Sequence, residues 1–260
     1  MGNTTIISTW LDEPQWTDGW PIALGFHPVP RPSLWLIDPV LADTVLTNRY
    51  DDTLSNDERA RAERFHQPAH QTRYKTAHTL LRVLLADATY TRAADLHFNG
   101  GHHNKPNLRN DLDRSITFNL SYTENKSLIG IADGTAIGVD IEWLQRPIVI
   151  DDMLPSCFSG NEIRYITSKK EGMHSRFFTL WTRKEAILKL TGEGIGEHLP
   201  LFEVLDGTCV TKKEIIGGHP PDRIYLYSFA MDDEYVACYA TAEPLERLSC
   251  FRLDRSQMAL

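Results

Sequence analysis

Two short segments in the middle of this chain carry residue types that could do chemistry together. Gly138-Val139-Asp140-Ile141-Glu142 sets two carboxylates two positions apart, and Trp181-Thr182-Arg183-Lys184-Glu185-Ala186-Ile187-Leu188-Lys189 adds a third carboxylate with a lysine four positions on. On a strand, residues i and i+2 share a face, so Asp140 and Glu142 project together while Val139 and Ile141 face the other side. Neighbouring carboxylates repel each other unless something positive lies between them. On a helix Glu185 and Lys189 also share a face, and a surface ion pair is the ordinary outcome of that spacing. The helix around them, however, holds Phe177, Phe178, Leu180, Trp181, Ala186, Ile187, Leu188 and Leu190. A helix apolar on most of its surface is largely buried, and its charged residues then need partners. A cation shared by Asp140, Glu142 and Glu185 is one such partner. Three carboxylates with phosphate oxygens and water suit the hard, octahedral Mg²⁺ ion. A solvated strand end and a surface ion pair are the bland alternatives, and the two segments by themselves leave both open.

The elements that must position these residues are legible from pattern. Ser55 with Glu58 and Ser159 with Glu162 fit capping boxes, in which the two side chains satisfy orphan N–H groups at a helix start. The first opens a helix carrying Arg59, Arg61 and Arg64; the second opens a short helix through Ile166. A helix over about 69–86 has Ala77, Leu80, Leu81, Leu84 and Leu85 at helical spacing. A longer one spans about 175–190, with Gly192 as its C-cap.

Strands are expected at 33–36, 116–122, 128–132 and 136–142. The last two would be joined in a hairpin by Asp133-Gly134, since Asp-Gly between strands favours a tight turn. Further strands fall near 209–215, 223–230, 234–240 and 248–253, while residues 1 to about 50, rich in Trp and Pro, otherwise read as irregular. Helices followed by an antiparallel meander, twice over, predict an α+β protein of two similar halves related by a pseudo-twofold, 1–134 and 135–260.

The chain has 260 residues, 42% hydrophobic and 24% charged, the balance of an ordinary globular protein. Its net charge of −8 disfavours a nucleic-acid partner. Cys157, Cys209, Cys238 and Cys250 are scattered and read as reduced thiols. Met1-Gly2 hints at myristoylation, but Ile6 stands where that motif wants Ser or Thr. With no secretory start and no apolar run long enough for a bilayer, the chain is expected in the cytoplasm, without a membrane partner. His66 with His70, and the cluster His97, His102 and His103, could bind zinc, yet no cysteine or glutamate completes a pattern; surface histidines are the simpler account.

The Gly-x-Asp-x-Glu strand followed by the Trp-x-x-Lys-Glu-Ala-x-x-Lys helix resembles the signature of the 4′-phosphopantetheinyl transferases of the surfactin-synthetase-activating, or Sfp-like, class. Other blocks match in order: Arg64-Phe65 with Leu80-Leu81-Arg82, Lys105-Pro106, Phe118-Asn119-Leu120-Ser121, and Phe158-Ser159 with Glu162. The first 45 or so residues are not covered.

The resemblance implies Mg²⁺-dependent transfer of 4′-phosphopantetheine from coenzyme A to a serine of an apo acyl or peptidyl carrier protein, with release of adenosine 3′,5′-bisphosphate. It makes Asp140, Glu142 and Glu185 the metal ligands and Glu185, Lys189 and Glu142 the catalytic set. The proton acceptor is either Glu185 or a metal-held water oriented by Glu142, and Lys189 steadies the diphosphate. Arg61, Arg73, Lys105, Pro106, Ser121 and Tyr122, with Lys189, become coenzyme A contacts, which assigns the nucleotide to the 1–134 half and the metal motifs to the 135–260 half. The family carries His after the serine at 121, where this chain has Tyr122, a hydrogen-bonding group without charge at neutral pH. Tyr122 is read either as its stand-in or as a core residue. Lys184 is expected to be solvated or to add charge. The resemblance also implies a monomer with its active site between the two halves. Met153, Leu154 and Phe158, with Lys169 and Lys170, are a candidate carrier-docking patch or else core. Two other functions use the same residues: a non-catalytic binder of coenzyme A or carrier protein, and a metal-dependent phosphohydrolase acting on coenzyme A.

Overall fold

The computed structural model of the protein describes residues 2–12, 14–18, 29–39, 42, 52–100, 106–108 and 116–253. In chain order its elements are strands β1 (Asn3–Trp10), β2 (Trp16–Asp18) and β3 (Ser33–Ile37), then helices α1 (Asn56–Glu63) and α2 (Pro68–Thr89). Strands β4 (Phe98–Gly100), β5 (Pro106–Leu108), β6 (Ile116–Thr123), β7 (Lys126–Asp133) and β8 (Ile137–Trp143) follow. Then come helices α3 (Ile150–Cys157), α4 (Gly160–Ile166) and α5 (Met173–Thr191), strand β9 (Gly207–Lys212), the helical turn α6 (Lys213–Ile216), and strands β10 (Arg223–Met231), β11 (Tyr235–Thr241) and β12 (Ser249–Leu253). The fold is α+β, as the pattern predicted.

The chain divides into two compact units, one of residues 1–14, 100–105 and 135–246, the other of residues 15–99, 106–134 and 247–260. The first holds a sheet in the order β8-β11-β10-β1-β9 and the second a sheet in the order β2-β12-β3-β7-β6. A common plan runs through both. A strand is followed by helices and then by an antiparallel hairpin, and the second hairpin strand inserts between the other two, giving β3-β7-β6 and β8-β11-β10.

Both capping boxes form. Ser55 Oγ accepts the Glu58 N–H and Ser159 Oγ that of Glu162, while each glutamate accepts the N–H of its serine. In the second unit α2 buries Leu80, Leu81, Leu84 and Leu85 in a core with Trp35, Phe118 and Ile129. Arg82 is buried there too, pairing with Glu58 at 2.7 Å and donating to the carbonyls of Ala93 and Leu96. Burial alone would raise the Glu58 carboxyl. Hydrogen bonds from His78 and the Ser55 backbone, with the Arg82 charge, outweigh it and bring the pKa down to about 2. In the first unit α5 ends at Gly192, in the left-handed region at φ +75°, and buries Phe177, Phe178, Leu180 and Ile187 against the sheet.

Four expectations about strands change. The N-terminal segment is not irregular: Asn3–Trp10 is a strand between β10, to which it is parallel, and β9. Its β-branched run Thr4-Thr5-Ile6-Ile7 favours a pleated surface, and Thr4, Ile6 and Ser8 are buried by alternation. Asp133-Gly134 does turn, with Gly134 at φ +67°, but makes no hairpin. Strand β8 pairs instead along its whole length with β11. A ladder of seven residues against a buried strand outweighs one favourable local turn. Finally, β12 does not extend the meander of its own half; it lies parallel to β3 and β2. The strand expected near 209–215 ends at Lys212, where α6 begins.

Candidate active site

In the first unit, α5 runs along β8 in opposite residue order. Trp181 Nε1 donates to Glu142 Oε1 at 3.1 Å, and Lys189 Nζ lies 2.7 Å from Asp140 Oδ1. Four residues of helix advance about 6 Å and two residues of strand about 6.6 Å. The helix stripe 181-185-189 therefore stays in step with the strand stripe 142-140-138, which is why an Asp-x-Glu spacing meets a Glu-x-x-x-Lys spacing. At Gly138 the strand meets the helix backbone itself. A Cβ there would lie 2.0 Å from the Ala186 carbonyl oxygen and 2.6 Å from the Leu190 nitrogen. Only glycine lets the helix backbone sit on the strand.

The result is a poorly solvated acidic cluster. Asp140 and Glu142 are buried, 4% and 8% exposed, and Glu185 is half-buried. Burial, and then the Asp140 charge, push the carboxyls of Glu142 and Glu185 up to about 7. Lys189 opposes this for both, and Arg146, 3.2 Å from Glu142 Oε1, opposes it for Glu142. Glu185 Oε1 is buried without a hydrogen-bond partner among the described residues. Trp181 and Arg146 escaped the sequence reading, although Trp181 stands four residues before Glu185 and so on its face.

Among the described residues no three His, Cys, Asp or Glu side chains form a ready-made metal cage. Mg²⁺ seldom uses one; carboxylates supply part of its shell, and phosphates and water complete it. Like charges gathered against desolvation, with a buried oxygen still unpartnered, fit such an ion.

Lys184 is neither solvated nor aimed at the cluster. It is fully buried against Glu162 at 2.9 Å and donates to the carbonyls of Leu199 and Phe202. Burial pulls its pKa down, while the Glu162 carboxylate works in the other direction. Its neighbour Arg183 is buried too, bonded to Ser228, Val204 and Asp206. Leu154 and Phe158 belong to the core and Met153 packs against it, so of the candidate docking patch only Lys169 and Lys170 are exposed.

Of the residues compared above with coenzyme A contacts, Lys189 lies in the first unit and Lys105 falls outside the described residues, while the others lie in the second unit. Ser121 is buried on β6; Tyr122 points outward, 37% exposed, and is not a core residue. The Arg73 guanidinium lies 5.2 Å from the Tyr122 ring centroid and donates to the Glu124 carbonyl at 3.0 Å. Arg61 is exposed on α1, 5.8 Å from the Tyr74 ring centroid, and Pro106 is exposed on β5.

The stretch from β8 to β11 that builds the acidic cluster is also the stretch that a family profile matches. Residues 136–240 match the profile of the 4′-phosphopantetheinyl transferase superfamily. The 4′-phosphopantetheinyl transferase HetI of Nostoc sp. is 33% identical over 192 residues, which cover 73% of this chain and 79% of HetI. The chain belongs to this transferase family. Two Bacillus subtilis relatives agree: the 4′-phosphopantetheinyl transferase ffp, 28% identical over 200 residues (76% of this chain, 86% of ffp), and Sfp, 25% identical over 198 residues (75% and 85%). The matched region of this phosphopantetheinyl transferase contains Gly138, Asp140, Glu142, Glu185 and Lys189, so the family likeness and the charge cluster coincide.

Proposed function

We propose that this transferase moves 4′-phosphopantetheine from coenzyme A to a serine hydroxyl of an apo acyl or peptidyl carrier protein. The new bond joins the serine oxygen to the pantetheine-side phosphorus. The bond from that phosphorus to the bridging oxygen breaks, and adenosine 3′,5′-bisphosphate leaves with the electron pair. The observation that carries this reading is the convergence of Asp140, Glu142, Glu185 and Lys189, with Glu185 Oε1 buried and unpartnered among the described residues.

Asp140, Glu142 and Glu185 would hold Mg²⁺. Bound there, the ion supplies neutralising charge to the phosphoryl oxygens. Trp181 and Arg146 keep the Glu142 carboxylate in place. Lys189, 2.7 Å from Asp140 Oδ1, would steady the diphosphate and the leaving group. The acceptor of the serine proton would be Glu185 or a water held by the ion and oriented by Glu142. Arg61, Arg73, Lys105, Pro106, Ser121 and Tyr122, in the half we assign to the nucleotide, would contact coenzyme A. Arg73, stacked on Tyr122, brings the charge that a tyrosine lacks. We assign the protein to the cytoplasm as a monomer; among the described residues no helix is long and apolar enough to cross a membrane.

Intact-mass analysis of apo carrier proteins incubated with this protein, coenzyme A and Mg²⁺ tests the reading. One added phosphopantetheine, abolished by EDTA and by Asp140→Ala, is the expected result. Coenzyme A binding without any mass gain would indicate a binder, and release of pantetheine phosphate into solution a hydrolase.

A further inference from the structure

The reaction proposed above gives Lys184 nothing to do, yet few side chains here are held so completely. It and Glu162 are both 0% exposed, 2.9 Å apart. The ammonium has three N–H donors, and it meets three oxygens: Glu162 Oε2, the Leu199 carbonyl at 2.6 Å and the Phe202 carbonyl at 2.7 Å. The rings of Phe202 and Phe158 flank it at 4.5 and 5.5 Å. Glu162 in turn accepts the Val204 N–H at 2.8 Å and the Ser159 N–H at 2.9 Å. The start of α4, the segment 199–204 and α5 are thus tied to one point.

Stability is a weak reason for such an arrangement, because replacing a buried ion pair with apolar residues is often neutral or stabilising. Its place in the sequence suggests another. Lys184 immediately precedes Glu185, and successive helical residues project about 100° apart. Anchoring the Lys184 head on one side of α5 fixes the rotation of the helix at that level. Glu185 lies on the α5 stripe between Trp181, which donates to Glu142, and Lys189, which donates to Asp140; a small rotation of α5 would take it out of the cluster. The close approach at Gly138 sets the distance between helix and strand but leaves that rotation open. Arg176, donating to the carbonyls of Ile166 and Glu171, ties the other end of α4 to the start of α5.

We infer that the buried Lys184–Glu162 pair is a positioning device that holds α5 in the rotation at which Glu185 faces Asp140 and Glu142. The inference rests on the proposed role of those three carboxylates as metal ligands. Its test is Mn²⁺ binding, followed by the electron paramagnetic resonance signal of the free ion, with no turnover required. In the double variant Glu162→Gln/Lys184→Met both charges go, and the single oxygen of the new side-chain amide can still accept from one of the Val204 and Ser159 N–H groups. A second variant, Glu162→Asp, keeps both charges but withdraws the carboxylate by one methylene. The expected result is a native circular dichroism spectrum with Mn²⁺ affinity reduced about tenfold or more, the scale of losses from removing outer-shell support, and kcat reduced in parallel. Either variant, folded and binding Mn²⁺ within about twofold of wild type, would overturn the positioning role. Absence of Mn²⁺ binding by the wild type would instead overturn the ligand assignment beneath it.

Discussion

The carbonyl oxygen of Ala186 lies over Gly138 so closely that a Cβ on the glycine would sit 2.0 Å from it. This contact joins the two acidic motifs into one site. Gly138→Ala must push α5 off β8, and overpacking of this kind costs about 1–3 kcal/mol. Because Lys189 and Glu185 ride on the displaced helix, transfer activity should fall by more than the unfolded fraction accounts for. Denaturant midpoints measured beside kcat decide this; loss of stability with normal kcat would mean that the approach does not set the site.

Trp181 donates to Glu142 Oε1 at 3.1 Å. Trp181→Phe keeps an aromatic ring beside Phe177 but removes that donor. Loss of such support to a metal-ligating carboxylate typically costs about 10–100-fold in affinity or activity. We expect a loss of about tenfold in Mg²⁺-dependent transfer with little change in melting temperature. Kinetic titration with Mg²⁺ is the check.

Acidic repulsion leaves a pH signature on the metal-free protein. Glu142 and Glu185 are raised from 4.5 to about 7, so the folded state binds protons more tightly than the unfolded one between those values. Their contribution favours folding at low pH and is lost as pH rises through 7. In EDTA the protein should melt higher at pH 6 than at pH 8, and Mg²⁺ should narrow the gap by stabilising the pH 8 form. Equal melting temperatures in EDTA would refute the clustering of charge.

Glu58 works in the opposite sense. Its carboxyl is lowered from 4.5 to about 2. The stability it confers is present above pH 4.5 and lost as pH falls through 2. Glu58→Gln should lower the melting temperature at pH 7 and change little near pH 2. A pH-independent deficit would trace to the lost cap rather than to charge.

Arg73 stacked on Tyr122 leaves an exposed place for a titratable ring. Tyr122→His should cost little stability. It should make the KM for coenzyme A fall as pH drops below about 6.5, where imidazole gains its proton. A pH-independent KM in the variant would remove Tyr122 from the coenzyme A contacts.

What the sequence alone determined was local. Asp140 and Glu142 share a face because a strand has period two, and Trp181, Glu185 and Lys189 because a helix turns in 3.6 residues; both serine caps likewise need only four residues. The same rules, together with the family resemblance, named the acidic site. Tertiary structure decided whatever depends on partners far along the chain. Strand β8 left its Asp-Gly turn for β11, almost a hundred residues on, because a full ladder outweighs a turn. Strand β1 took its place beside β10, and β12 beside β3. Lys184 looks like any solvated helix lysine until Glu162 and the carbonyls of Leu199 and Phe202 close around it. A charge can be buried only where the fold brings it a complete set of partners, and no window of sequence contains that set.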